Sequence, residues 1–302
     1  MNSTNPDINP VKSFFKSVEK KLLKHSKHLY FKTVISQKSG AKNIIKKYKE
    51  ASTGKSPIDK TCPIWTCWWQ GEANMPDIVK VCYASAKHHA GQHPVILITE
   101  QNYQEYATMP DYILQKVKNH EISLTHFSDM LRINLLKEHG GIWADSTLLF
   151  TRDVDSIMNP DTDFYTCHHT AKNTNVANGK WTVFFIACGK DNILPAFLLD
   201  MFYSYWKNHQ QIVTYLFFDY LVSIAYENIP AITEMVDSVP LQRISNLSGT
   251  AFSVALVIAL IGQTLLNSLT GIISQGYSIV VYPYMMIVSL LIMLLLFKRS
   301  LK

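Results

Sequence analysis

The sequence lacks the patterns that mark disulfide-rich or zinc-binding proteins. It contains five cysteines, an odd number, and no two of them form a CxxC pair. This usage excludes a disulfide framework and the common cysteine-rich zinc sites, and it is typical of a protein in a reducing compartment. The N-terminal stretch also lacks a charged segment followed by an apolar run, so no secretory signal is predicted.

Acidic residues are scarce between residues 11 and 50, where twelve lysines stand against Glu19 and Glu50. Apolar residues recur in this stretch at helical spacing, which predicts amphipathic helices in a basic N-terminal region, residues 1–60. Two interpretations remain open: a helical lead-in that packs on the main domain, or contact with an anionic membrane surface. Nucleic acid is not expected as a partner, because the lysines are not interleaved with stacking aromatic residues.

Charge is absent from two long runs, residues 250–273 and 277–297. At 1.5 Å per residue each run is long enough to cross a hydrocarbon core of ~30 Å, so two transmembrane helices are predicted within residues 250–297. A pair of buried core helices is the alternative. Lys298 and Arg299 follow the second run, and the positive-inside rule therefore predicts that the ends of this hairpin and the preceding domain lie in the cytoplasm.

Residues 61–245 alternate short apolar runs with helical patterns. This alternation predicts an α/β domain with a mixed, mostly parallel sheet covered by helices. Aromatic residues in the last helical stretch, 194–226, are expected to form core. The predicted strands are 63–68, 94–99, 142–144 and 181–187, and the other predicted helices are 76–90, 112–120 and the one that begins near residue 127.

The stretch FSDMLRINLLKEHGGIWADST, residues 127–147, contains the strongest candidate site. Asp129 and Arg132 are three residues apart and share a helix face, and the two glycines after His139 end the helix. A buried strand then brings Asp145 to its carboxyl end, where ligands bind in open α/β sheets. On spacing alone, a surface ion pair and a turn-capping aspartate are equally good interpretations.

The same stretch resembles the donor-site segment of capsular polysaccharide synthesis proteins, which are similar to DxD-type glycosyltransferases. CPIWTCWWQGEANMPDIVKVCYAS is similar to the family's opening strand and first helix, and WTVFFIAC, FYSYW and TYLFFDYL resemble later segments. The likeness covers about residues 61–240. It implies a GT-A-like nucleotide-sugar-binding domain and a hexosyltransferase of retaining type that moves a sugar from a UDP donor to a growing capsular or surface polysaccharide.

The resemblance implies a role for each matching residue. Asp145 would be the carboxylate for the metal and the diphosphate, with Thr147 in place of the family's second acid and Mn²⁺ or Mg²⁺ as the ion. Asp129 and Arg132 would hold the donor sugar. The nucleoside end of the donor is assigned to the remaining residues: Ser128 near the ribose, Trp68 stacked on the base, Gln70 and Gly71 bounding the pocket, and Trp65 and Trp69 as alternatives to Trp68.

The acceptor implied is a glycan or a lipid-linked glycan at the cytoplasmic face of the bacterial inner membrane. The family's ending beyond Val239 and Pro240 does not appear in the sequence, and the two apolar runs stand in its place. An alternative function is therefore a non-catalytic membrane component of polysaccharide assembly or export that retains a degenerate donor domain. Asp219 is expected either to face the donor or acceptor cleft or to be a buried structural carboxylate.

Overall fold

The computed structural model describes residues 10–51, 56–158, 162–168 and 176–241. The chain divides into two units, residues 1–244 and 245–302, and all of the described residues lie in the first. Both predicted transmembrane runs lie outside the described residues. Within the described ranges, no helix combines the length and the apolar character needed to cross a membrane.

Five short strands form one sheet in the order β2-β1-β3-β5-β4. Strand β1 pairs in parallel with β2 and with β3, whereas β5 is antiparallel to β3 and to β4. Only β5 therefore runs against the other strands, which confirms the predicted mixed, mostly parallel sheet. The strands are β1 (Ile64–Cys67), β2 (Val95–Ile98), β3 (Gly141–Ala144), β4 (Phe164–Thr166) and β5 (Phe185–Cys188).

The chain leaves β1 toward β2 on one side and later returns to β3 on the other side of β1. Strand order thus reverses between β1 and β3, and their register, Trp65 opposite Trp143, brings their carboxyl ends together. In open α/β sheets a crevice forms outside the strand ends at such a reversal point. The fold therefore places its natural ligand crevice beside Asp145, the residue that follows β3.

Nine helices lie within the described residues, and they account for most of the predicted helical stretches. The predicted stretch 194–226 is divided in two, because the chain becomes extended at His209 and resumes a helix only eight residues later. The helices are α1 (Pro10–Lys38), α2 (Ala41–Tyr48), α3 (Asp77–His88), α4 (Tyr103–Tyr106), α5 (Asp111–Lys118), α6 (Leu124–His139), α7 (Ile193–Asn208), α8 (Phe217–Asn228) and α9 (Pro230–Asp237).

Helix α6 is the element that carries Asp129 and Arg132, and both of its ends are defined locally. Ser123 caps its start, its side chain accepting a hydrogen bond from the backbone of His126 at 3.3 Å. Gly140 ends it with a φ of +67°, and a Cβ there would lie 2.7 Å from the backbone nitrogen of Lys190. Only glycine fits this turn, which leads directly into β3.

Helices cover the two faces of the sheet differently. On one face, residues of α3 and its preceding loop pack against Trp68, Val95 and Leu97. Because side chains alternate along a strand, Trp65 points to the opposite face, where its indole contacts the ring of His139 in α6. That second face also carries α7 and α8, whose buried aromatic residues form most of the predicted core: Phe197, Phe202, Tyr205, Trp206, Phe217, Phe218 and Tyr220. Tyr215 was also expected in the core, but it is 57% exposed, because the segment between the two helices is not helical.

The N-terminal helices pack on this helical layer. The ring of His28 in α1 lies 2.7 Å from the hydroxyl of Tyr220 in α8, and Lys32 forms an ion pair with Glu227 at 2.6 Å. Helix α2 contacts α7, where Lys47 and Tyr48 both reach Asp200. This is the packing expected of a lead-in that belongs to the main body of the domain.

Candidate active site

Asp145 occupies the carboxyl end of β3, as the sequence predicts. Its backbone nitrogen donates to the carbonyl of Phe184 at 2.9 Å, and its carbonyl accepts from Leu148, which closes a turn. Its side-chain Oδ1 accepts two hydrogen bonds, from the indole of Trp143 at 2.7 Å and from Arg132 Nη2 at 3.0 Å. The carboxylate is thereby oriented by a neighbour on its own strand and by a cation on α6.

Arg132 links the parts of the site. Its Nη1 donates to the carbonyl of Val183 at 2.5 Å, while Nη2 lies 3.0 Å from Asp145 and 3.5 Å from Asp129 Oδ1. The side chain is only 5% exposed. The structure thus joins Asp129, Arg132 and Asp145 in one buried cluster, which excludes the surface ion pair that spacing alone allowed.

Two aromatic rings flank the Arg132 guanidinium. The centre of the Trp143 ring is 4.9 Å from Cζ, and that of Phe218 is 5.4 Å away. Such contacts stabilise a guanidinium that has lost its hydration. Nε of Arg132 is buried and has no hydrogen-bond partner among the described residues. An unpartnered donor of this kind is costly, so it marks a position where a ligand acceptor would be favoured.

Asp129 has a second neighbour that the sequence did not suggest. The Nδ1 atom of His126, one helical turn earlier, lies 3.5 Å from Asp129 Oδ2. The His126 ring also contacts the ring of Tyr215, an exposed residue in the segment between α7 and α8. His126 gave no signal in the sequence, because a lone histidine in the first turn of a helix has no distinguishing pattern.

Asp219, at the start of α8, completes the cluster. The indole nitrogen of Trp181 donates to its carboxyl at 3.1 Å. Burial raises the pKa of Asp219 to about 6; the Trp181 hydrogen bond opposes this shift, and the nearby Asp129 charge adds to it. Burial also raises the pKa of Asp145, against the opposing effects of Arg132 and Trp143. Asp219 is therefore a mostly buried, hydrogen-bonded carboxylate, which was one of its two expected positions, and its place in a donor or acceptor cleft stays a prediction.

The charges in the cluster do not balance. Asp129 and Asp145 both contact the guanidinium of Arg132, and the carboxyl group of Asp219 is close enough to interact with the charges of Asp129 and Arg132. A buried surplus of negative charge is unfavourable unless a cation or several hydrogen-bond donors compensate for it. The site is therefore suited to a ligand rich in hydroxyl groups, to a cation, or to both.

The predicted metal ligands offer a small donor set. The Oδ1 atom of Asp145 takes both hydrogen bonds that described residues make to that side chain, which leaves Oδ2 for a cation. Thr147 lies in the adjoining turn. Over the described part of the chain, no three His, Cys, Asp or Glu side chains are grouped to hold a metal. This arrangement fits a Mg²⁺-like ion that takes waters and phosphate oxygens for the rest of its shell.

The nucleoside-binding residues are more scattered. Ser128 is on α6 beside Asp129, and its hydroxyl donates to the carbonyl of Thr125 at 2.7 Å. Gln70 is exposed in the loop after β1, and its carbonyl accepts from Asn74. Gly71 follows with a φ of +84° and open space around the position of a Cβ. Their roles toward a nucleotide stay predictions.

The tryptophans after β1 point to different faces. Trp68 packs with the α3 residues, away from Arg132, and its indole donates to the carbonyl of Asn74 at 3.2 Å. Trp69 lies on the α6 face, where its ring centre is 5.2 Å from that of Phe127 and 5.2 Å from that of Tyr103. Of the two, Trp69 shares its sheet face with the cluster.

Cys67 lies on the same face of the sheet as Trp69, and the charges of Asp145 and Arg132 influence the pKa of its thiol. Burial, followed by the Asp145 charge, raises the pKa of the Cys67 thiol to about 12. A protonated thiol is a poor nucleophile, so the residue acts here as a small apolar side chain.

Comparisons with known proteins bear on this site. No curated protein matches the chain. A solved structure titled PaToxG Glycosyltransferase matches with 17% identity over 74% of this chain and 84% of its own, with a TM-score of 0.40, at which the likeness carries no argument. The family model described as capsular polysaccharide synthesis protein matches residues 11–248 and confirms the resemblance. The chain belongs to the capsular polysaccharide synthesis protein family.

Proposed function

We propose that this protein is a glycosyltransferase that moves a sugar from a nucleoside diphosphate, UDP in the first instance, to a growing capsular or surface polysaccharide. The observation that carries the proposal is the buried cluster of Asp129, Arg132 and Asp145 at the reversal point of the sheet. Within a family of polysaccharide synthesis proteins, a polar cluster in that crevice is the place to bind an activated sugar.

The donor sugar would sit against Asp129 and Arg132. Carboxylates accept hydrogen bonds from sugar hydroxyls, and the unpartnered Nε of Arg132 would donate one. Because the Arg132 guanidinium is already fixed by Val183 and Asp145, little side-chain freedom would be lost on binding. Positioning of this kind lowers the barrier of a bimolecular transfer.

The diphosphate would lie at Asp145. A divalent cation held there by Asp145 Oδ2 and Thr147, with Mn²⁺ or Mg²⁺ as the candidates, would neutralise the departing UDP. The surplus negative charge of the cluster favours such an ion. We place Trp69 ahead of Trp68 as the base-stacking residue, since its ring lies on the face of the sheet that carries Arg132.

We also propose a retaining outcome and a GT-A-like domain, as the family resemblance implies. Among the described residues near Arg132, the thiol of Cys67 is protonated and offers no nucleophile. The proposed step is direct transfer assisted by electrostatic stabilisation of the leaving group. The cytoplasmic face of the inner membrane, reached through the two apolar runs within residues 250–297, is the proposed location.

Calorimetric titration of the full chain with UDP, with and without Mn²⁺, tests the donor site. We expect micromolar, metal-dependent binding that is lost in Asp145→Asn. Asp153→Asn is the matched control, because Asp153 is an exposed aspartate that pairs with His89 outside the cluster. Absence of UDP binding by the unmodified chain would instead favour the alternative, a non-catalytic assembly component.

A further inference from the structure

The outer side of α1 carries apolar residues that the described part of the chain leaves uncovered. Leu22, Leu29 and Tyr30 are 63%, 56% and 62% exposed. With 3.6 residues per turn, these positions fall within an arc of about 100°. The opposite side of the helix holds Ile35, which is fully buried, and Phe31, which packs on Tyr220. Helix α1 thus packs an apolar inner face on the domain and presents three large apolar side chains, together with the exposed Ser26 and Thr33, on its outer face.

Positive charge accompanies this outer face. Helix α1 contains eight lysines and one acid, Glu19. On the helical wheel, the exposed Lys27 lies about 60° beyond Tyr30 and borders the apolar arc on that side, whereas Lys32, about 60° beyond Leu29, pairs with Glu227. An apolar arc on a lysine-rich helix is the pattern of a helix that lies in the interface of an anionic membrane.

The inner face of α1 fixes this surface relative to the candidate active site. His28 contacts the Tyr220 hydroxyl at 2.7 Å, and Lys32 reaches Glu227 at 2.6 Å, so α1 is held at two points along α8. Tyr220 follows Asp219 directly in the sequence. A surface that binds the outer face of α1 would therefore set the orientation of the cluster that contains Asp219.

We propose that the outer face of α1, defined by Leu22, Leu29 and Tyr30, lies on an anionic phospholipid surface. A second copy of the chain is less suited to cover this face. Pairing two such faces would bring two lysine-rich helices together, and their positive charges would repel each other. A lipid surface supplies both an apolar interior for these side chains and negative charge for the lysines. The inference deepens the membrane association proposed above.

Measuring how deeply α1 enters a membrane tests this inference. Because the measurement does not depend on enzymatic turnover, a negative result here is distinguishable from failure of the proposed reaction. Leu29→Cys is labelled with an environment-sensitive fluorophore in the full chain, reconstituted into vesicles of phosphatidylglycerol and phosphatidylcholine. Ile78→Cys is the matched control, since Ile78 is also an exposed aliphatic residue on a helix but lies on α3. The unsubstituted chain gives the labelling background from Cys62 and Cys67.

We expect the label at position 29 to shift to shorter wavelength and to lose accessibility to iodide at least about twofold relative to position 78. The difference should shrink when the vesicles contain only phosphatidylcholine or when salt is raised. Equal iodide accessibility at positions 29 and 78 in anionic vesicles would overturn the proposal. Protection of position 29 without lipid, rising with protein concentration, would also overturn it and would indicate self-association.

Discussion

Arg132 is the residue on which the site depends, because its guanidinium contacts three groups of the site. It donates to the Val183 carbonyl and to Asp145 and lies 3.5 Å from Asp129. Lysine keeps the charge but has no planar fork, so it cannot reproduce this set of contacts.

Arg132→Lys is therefore expected to lower the free energy of unfolding by about 2 kcal/mol and to abolish donor binding. Urea denaturation of the detergent-solubilised chain measures the first effect. Lys47→Arg serves as the control, because Lys47 forms an exposed ion pair with Asp200, and changes there are expected to stay below about 0.5 kcal/mol. Equal stabilities of the two variants would contradict the linking role of Arg132.

Asp219 makes stability depend on pH. Its pKa in the folded state, about 6, is above the value of 3.8 for an unperturbed aspartate, so the folded state holds the proton more tightly than the unfolded state. The corresponding stabilisation is full below about pH 4 and is lost as pH rises through 6.

Asp219→Asn should remove this loss and leave the variant more stable than the unmodified chain at pH 7, by at most about 3 kcal/mol. The measurement is the free energy of unfolding at several pH values between 4 and 8. Asp77→Asn, at a fully exposed carboxylate, controls for the substitution itself. Parallel pH profiles for the unmodified chain and Asp219→Asn would refute the assignment.

At the scale of the elements, the turn between α6 and β3 sets the distance between Arg132 and Asp145. Gly140 has a positive φ, and a Cβ would meet backbone atoms of the segment that follows β5. Gly71 also has a positive φ, but nothing lies within 4 Å of its Cβ position. Alanine substitution at Gly71 therefore measures the cost of a positive φ alone, whereas substitution at Gly140 measures that cost together with a steric clash.

Gly140→Ala is expected to cost about 3 kcal/mol of unfolding free energy, since strain and a backbone clash add, whereas Gly71→Ala should cost about 1 kcal/mol. Chemical denaturation of both variants provides the comparison. Similar losses in the two variants would show that the approach to Lys190 is not tight.

The segment between α7 and α8 presents an aromatic surface near the cluster. Tyr215 is 57% exposed, and its ring centre is 6.0 Å from that of His126, which adjoins Asp129. An exposed aromatic face beside a polar cleft is suited to packing against a sugar ring of the acceptor.

Tyr215→Ala should raise the acceptor KM by about threefold to tenfold, the equivalent of one lost aromatic contact, and leave hydrolysis of the donor unchanged. Tyr215→Phe keeps the ring and should behave like the unmodified chain. Steady-state kinetics with a capsular oligosaccharide acceptor distinguishes these outcomes, and an unchanged KM in Tyr215→Ala would remove this residue from the acceptor site.

The sequence predicts local relations better than contacts between elements. The strand before Asp145 and the shared helix face of Asp129 and Arg132 follow from apolar runs and helical spacing. The contact of Arg132 with Asp145 depends on how α6 packs on the sheet, which no local pattern specifies. The contact between Trp181 and Asp219 joins residues 38 positions apart for the same reason.

A smaller difference between the predicted and the observed strands has a similar physical cause. Strand β4 has three residues, too few for a recognisable alternation. The family resemblance assigned base stacking to Trp68, which stays a prediction, and alternation along the strand places Trp68 and Trp69 on opposite faces. Which face carries α6 is decided by tertiary packing, and that packing puts Trp69 with the cluster.

At the scale of the whole molecule, the basic helices and the site form one body. The matched family range begins at residue 11, and α1 packs on the helix that carries Asp219. A domain that starts at residue 61 would lose these contacts. Helix α1, with its proposed membrane face, is thereby part of the same packed helical layer as the helix that carries Asp219.

The central claim is that this layer holds a donor site for a nucleotide sugar, and UDP release from a panel of UDP-sugars tests it most directly. The assay uses the full chain in native membranes with Mn²⁺, beside Asp145→Asn and the control Asp153→Asn. We predict metal-dependent UDP release with one of the sugars, at least about 100-fold lower in Asp145→Asn and unchanged in Asp153→Asn. Equal release by the unmodified chain and Asp145→Asn would contradict it.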